Sequence, residues 1–150
     1  VGIDPLKLTE AQLRLINAED RKFLGKRGRT KAEAFEIEIR KLEREIQSEF
    51  VNFCHRHHIT IWNPSPVKKS TVQRGLPDFL CWRNGTAVAI EFKIAPRKPE
   101  PHQEAKFAEI QSNGNLVFVC TERPGNSAYA EATKIVRKFF NLPADPSETP

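Results

Sequence analysis

Residues 78–82 and 87–94 are two short apolar runs separated by Asn84-Gly85. That dipeptide is the one best able to take positive φ at both centre positions of a two-residue turn, so the segment reads as a β-hairpin. Successive side chains in a strand face opposite ways. Glu91 and Lys93 therefore share one face, and Ile90, Phe92 and Ile94 share the other. The turn also returns Asp78, at the start of the first strand, to the far end of the second. Two carboxylates and an ammonium thus converge at one edge of an otherwise apolar hairpin. Buried charge needs a partner or a metal. Two readings stand at this point. In one, Glu91 and Lys93 form a salt bridge on the solvated face of the hairpin. In the other, Asp78 and Glu91 hold a hard divalent cation through oxygen, with Lys93 beside the attacking water.

Upstream, Thr30-Lys31-Ala32-Glu33 has the form of a capping box and opens the longest helix of the chain. Phe35, Ile39, Leu42, Ile46, Phe50 and Phe53 recur at intervals of three and four, which predicts an amphipathic helix. At about 100° per residue, Glu43 falls inside the apolar stripe, whereas Glu38, Glu45 and Glu49 point away. Glu36 shares the Glu43 face two turns earlier. An acid within a core stripe calls for a cation; at the edge of the stripe it would reach water instead. The helix runs out in Cys54-His55-Arg56-His57-His58. No second Cys/His pair follows at a spacing that would complete a zinc site, and basic residues at the negative end of a helix are the simpler account.

The remaining pattern gives a short strand at 59–62, a helix at 102–112 opened by a proline-stiffened basic loop and stopped at Gly114, and a strand at 116–120. A last helix at 127–140 follows. The unbroken apolar run Leu116-Val117-Phe118-Val119-Cys120 predicts a strand buried on both faces. An earlier helix is predicted at 8–24, followed by the basic break Gly25-Lys26-Arg27-Gly28-Arg29. The expected organisation is an N-terminal helix and linker at 1–30, one domain at 31–142 and a loose tail at 143–150. Its sheet is mixed and flanked by helices, and the last crossover lays its strand parallel to the Glu91 strand.

Gly75-Leu76-Pro77-Asp78 before the hairpin, Glu91-Phe92-Lys93 on its second strand, Glu43-Arg44-Glu45-Ile46-Gln47 on the preceding helix and Gln103 on the following one stand in a fixed order. In these blocks the chain resembles the virus-type replication-repair (VRR-NUC) family of PD-(D/E)xK nucleases. The resemblance covers roughly residues 43–120. It implies a restriction-endonuclease-like α/β core and metal-dependent hydrolysis of DNA phosphodiester bonds. It further implies Mg²⁺ or Mn²⁺ on Asp78, Glu91 and the Phe92 carbonyl, with Glu43 joining directly or through water. Lys93 would orient the water or offset transition-state charge, and Gln103 would order the surroundings of the metal. Small members of this family work as homodimers on branched DNA such as four-way junctions, the expectation here. A flap or duplex nuclease, or a DNA-binding protein with a relic site, are the alternatives. After Lys93 the chain reads Ile94-Ala95-Pro96, where relatives often have a glycine-containing turn, so the course of that loop is the point of departure.

A net charge of +5, from 24 Lys+Arg against 19 Asp+Glu, suits a polyanionic partner. Lys26, Arg27, Arg29, Lys68, Lys69, Arg74, Arg97 and Lys98 are the residues that would meet a DNA backbone; a solvated linker at 25–29 and a solvated loop at 68–74 are the alternative reading. Cys54, Cys81 and Cys120 are odd in number and widely spaced, and they read as reduced core residues of an intracellular protein. With no signal peptide, membrane span or lipidation motif, the expected location is the cytoplasm or nucleoid, or the nucleus in a eukaryote, with no membrane partner.

Overall fold

The structure, a computed structural model, describes residues 31–64 and 75–145. In order these form α1 (Lys31–Arg56), β1 (Thr60–Trp62), β2 (Phe79–Arg83), β3 (Thr86–Ile94), α2 (Pro101–Ser112), β4 (Leu116–Glu122) and α3 (Ala128–Phe139). One four-stranded sheet runs β1-β2-β3-β4. Its first two pairings are antiparallel and the β3–β4 pairing is parallel. This is the expected mixed α/β sheet flanked by helices, compatible with a restriction-endonuclease-like core. The expected helix at 8–24 and the basic residues Lys26, Arg27, Arg29, Lys68, Lys69 and Arg74 lie outside the described residues.

The helical stripe buries Phe35, Ile39, Ile46, Phe50, Phe53 and Cys54. α1 ends where His58 takes φ 54°; Ile59 N–H then donates back to Cys54 O at 2.9 Å, closing the last turn in the manner of a Schellman cap. Buried Ile59 leads directly into β1. Asn84 (φ 51°) and Gly85 (φ 80°) make the hairpin turn between Arg83 and Thr86, as the dipeptide predicts.

Alternation assigns Phe79, Cys81, Val88, Ile90, Phe92, Ile94 and Cys120 to one face of the sheet, and these strand residues share a single core with the buried residues of α1 and α3. The rings of Phe50, Phe79 and Phe92 sit 5.4–6.0 Å apart, centre to centre, at its middle. α2 packs against β4, and its buried Phe107 lies outside that core cluster. Serine 127 caps α3 by accepting the Ala130 N–H, and Glu122 accepts the Ala128 N–H at 2.7 Å.

One expectation is corrected. β4 is not buried on both faces: only Cys120 is fully enclosed, and Leu116 is exposed. It is an edge strand of the described sheet, and of α2, which packs against it, only Phe107 is buried. Arg137 reaches the Pro143 carbonyl and the Asp145 carboxylate, and residues 146–150 of the expected tail lie outside the described residues.

Candidate active site

β2 begins at Phe79, opposite Ile90, so β3 runs on for four residues without β2 beside it. The backbone along that stretch still needs partners. Two carboxylates supply them reciprocally. Asp78 Oδ2 accepts the Phe92 N–H at 2.8 Å, and Glu91 Oε2 accepts the Asp78 N–H at 3.0 Å. Each acid thus clasps the other's strand where the two part. In an extended strand a residue's N–H and C=O address the same edge, so the Phe92 carbonyl lies along the edge that Asp78 occupies.

Glu91 is 1% exposed, one of two buried polar side chains among the described residues. The expectation of a salt bridge on a solvated face is therefore only half right. Lys93 Nζ does meet Glu91 Oε1, at 2.8 Å, but it does so in a nearly closed environment. Gln103 Nε2 donates to the same oxygen at 2.9 Å. Gln103 occupies the third position of α2, where its own Oε1 accepts the Glu100 N–H in a capping box that fixes the side chain.

Gly75 seats this end of α2. It sits at φ +83°, and a Cβ there would come within 2.6 Å of the His102 carbonyl oxygen. The glycine of the motif thus allows the chain before Asp78 to touch the backbone beside Gln103.

Glu43 projects from α1 toward the same cluster. It is half-buried and makes no hydrogen bond or ion pair among the described residues. Burial raises its carboxyl pKa, opposed by Lys93 and reinforced by Glu91, so it lies within the field of both. Burial first, and then the facing Glu91 carboxylate, push Asp78 up to about 7, while the Phe92 N–H and Lys93 work the other way. Three acids thus share one ammonium, and added positive charge would relieve them.

The donor set fits a hard divalent ion. Oxygen ligands would come from Asp78, Glu91 and the Phe92 carbonyl, and Asp78 Oδ1 takes no hydrogen bond from the described residues. No three His, Cys, Asp or Glu side chains among the described residues are gathered into a ready-made metal cage. Such sparse protein ligation matches Mg²⁺, which keeps several of its waters, and leaves Glu43 facing the site rather than built into it.

The outer residues divide. Arg97, expected on a DNA backbone, forms an ion pair with Glu36 of α1, and Lys98 is exposed. The Glu36–Arg97 pair ties the loop after β3 to α1, and no local signal in the sequence shows it. Cys54 turns into the core against Cys81 while His58 is exposed, so the two diverge. The Cys54 contact and burial raise the Cys81 thiol, and burial pushes Cys120 up to about 12, so neither is a nucleophile at neutral pH. No described helix is long and apolar enough to cross a membrane. Compared with protein families and with curated proteins, the chain matches none of either, so its chemistry is read from the Asp78–Glu91–Lys93–Gln103 cluster.

Proposed function

We propose that this chain is a metal-dependent DNA endonuclease that hydrolyses phosphodiester bonds in branched DNA such as four-way junctions, acting as a homodimer. The observation that carries the reading is the mutual clasp of Asp78 and Glu91 at the parting of β2 and β3, with Lys93 and Gln103 on the same Glu91 oxygen. A protein that only binds phosphates gains nothing by gathering acids where phosphates must approach. The preference for branched substrates and the dimer rest on the family resemblance alone.

Mg²⁺ or Mn²⁺ held by Asp78, Glu91 and the Phe92 carbonyl would acidify a bound water and offset phosphate charge. The protein's own contributions follow from the geometry. Lys93 is 17% exposed and fixed by Glu91, so its ammonium is placed to orient a water or to meet charge developing on the phosphate. Gln103 holds Glu91 in one rotamer. Glu43 adds a carboxylate that can accept a hydrogen bond from water on the α1 side.

One observation favours a second reading, a DNA-binding protein with a relic site. Both Glu91 oxygens are already engaged, by three donors in all. Cleavage of labelled duplex, single strand, 5′ flap and four-way junction, with Mg²⁺, Mn²⁺ or EDTA, separates the two. Metal-dependent cutting that disappears in Lys93→Ala is the expected result. Binding of the panel without any cutting would leave the binding protein.

A further inference from the structure

Trp62 and Trp82 are 50% and 39% exposed, the most exposed aromatic side chains among the described residues that carry no ring contact. The sheet register joins them. Trp62 stands opposite Leu80 and Trp82 opposite Thr60, so the two indoles are diagonal neighbours on one face of β1–β2, ~7–8 Å apart at the backbone. Leu80 pairs with Ala89 and Trp82 with Ala87. Alternation along β3 then puts Ala87, Ala89, Glu91 and Lys93 on that same face. The strand spacings place the Trp62 Cα about 12 Å, and the Trp82 Cα about 14 Å, from that of Glu91. α2 packs on β4 and reaches Glu91 through Gln103, and among the described residues the two indoles are the large side chains left exposed on the β1–β2 half of the face.

We propose that Trp62 and Trp82 form a stacking platform for unpaired nucleobases next to the phosphodiester engaged at the Asp78–Glu91 site. This deepens the nuclease reading and rests on it for the identity of the strand. Three observations select this occupant. The face is continuous with the cluster, so a strand lying in the site continues onto the indoles. The chain carries a net +5, which favours a polyanion. The area is too small for a second copy: two half-exposed indoles offer on the order of 200 Å², against the ~800 Å² per partner of a stable interface. Bases stack on exposed indoles whatever their sequence, provided they are unpaired. The platform therefore makes the site selective for DNA that is open beside the cut, as at a branch point, over continuous duplex.

The chain has no other tryptophan, so intrinsic emission reads the platform alone. Oligothymidylate added in EDTA should quench the wild-type emission, and blunt duplex should quench it less. Trp62→Ala/Trp82→Ala should bind oligothymidylate about tenfold or more weakly, and Trp62→Phe/Trp82→Phe should regain most of that. In Mg²⁺, the alanine variant should lose its preference for branched substrate over duplex. Quenching by oligothymidylate in a protein that cuts nothing upholds the platform and removes the nuclease. Cutting by a wild type whose emission does not respond, with the alanine variant binding as well as wild type, overturns the platform and keeps the nuclease. An alanine variant that loses self-association in sedimentation, yet binds oligothymidylate unchanged, also overturns it and gives the face to a second copy.

Discussion

On one face of β3, Phe92 is enclosed by the rings of Phe50 and Phe79; on the other, one residue earlier, Glu91 is enclosed by Lys93, Gln103 and the Asp78 N–H. Both side chains are 1% exposed. The environments differ in what they depend on. Phenylalanine's burial is favourable at any pH and in any salt, because it removes apolar surface from water. Burial of Glu91 and Asp78 is tolerable only while hydrogen bonds, Lys93 or an added cation balance their charge. The apolar face holds the strand in place, and the polar face uses that rigidity to keep like charges close. Substitutions on the first face should therefore act on folding. Substitutions on the second should act on chemistry, with stability effects whose sign depends on conditions.

The largest effect is expected at Phe92→Ala, which leaves a void between Phe50 and Phe79 and should cost about 3–5 kcal/mol in urea unfolding. A loss well below that would mean the ring cluster is not what holds β3. Next comes Asp78→Asn, where the two faces should part company. Its amide oxygen can still accept the Phe92 N–H, but the charge is gone. Cleavage should fall by about a hundredfold or more, while the metal-free protein at neutral pH should melt at a higher temperature than wild type. A variant that loses activity and stability together would place Asp78 with Phe92, as a structural residue.

Gly75→Ala should have a smaller effect, about 1–3 kcal/mol, from a positive φ and a close approach to the His102 carbonyl. The first turn of α2 would have to shift, and Gln103 with it. Cleavage should fall beyond what the lost stability explains, which activity measured well below the melting temperature would reveal. Unchanged activity in a folded variant would show that Gln103 does not depend on this seat.

What the sequence made readable follows from range. The α1 stripe, the Asn84-Gly85 turn and the sharing of a face by Glu91 and Lys93 are periodicities within one element, and they appear as expected. Helical phase and the family motif select the same residue, Glu43. The hydrogen bond from Gln103 to Glu91 was not readable by phase, because it depends on the path of the loop between β3 and α2; only the motif pointed to that residue. The Arg97–Glu36 ion pair is unreadable for the same reason, since Glu36 lies far off in sequence, on α1. The β4 error has a different source. A continuous apolar run implies two covered faces only when strands and helices flank it on all sides, and whether a strand is an edge is a property of the whole sheet.

The pH dependence of the metal-free protein tests the contrast most directly. In the unfolded chain Asp78 titrates near 3.8, and in the fold near 7. Between these values the folded form binds more protons than the unfolded one, so stability falls as pH rises. The contribution is fully present below 3.8 and is lost as pH passes through about 7. Glu43, also raised, acts in the same direction. His57 acts against it. Its imidazole is lowered by burial, so its protonation opposes folding as pH falls. The clean quantity is therefore the difference in melting temperature between wild type and Asp78→Asn, followed from about pH 4 to about pH 8 without metal. Wild type should lose ground steadily across that range, and Mg²⁺ should restore more of it at the upper end, where the acids it binds are ionised. A difference that stays flat with pH would mean that Asp78 is ionised throughout. The burden of charge on the Glu91 face would then be no greater than the packing on the Phe92 face already balances.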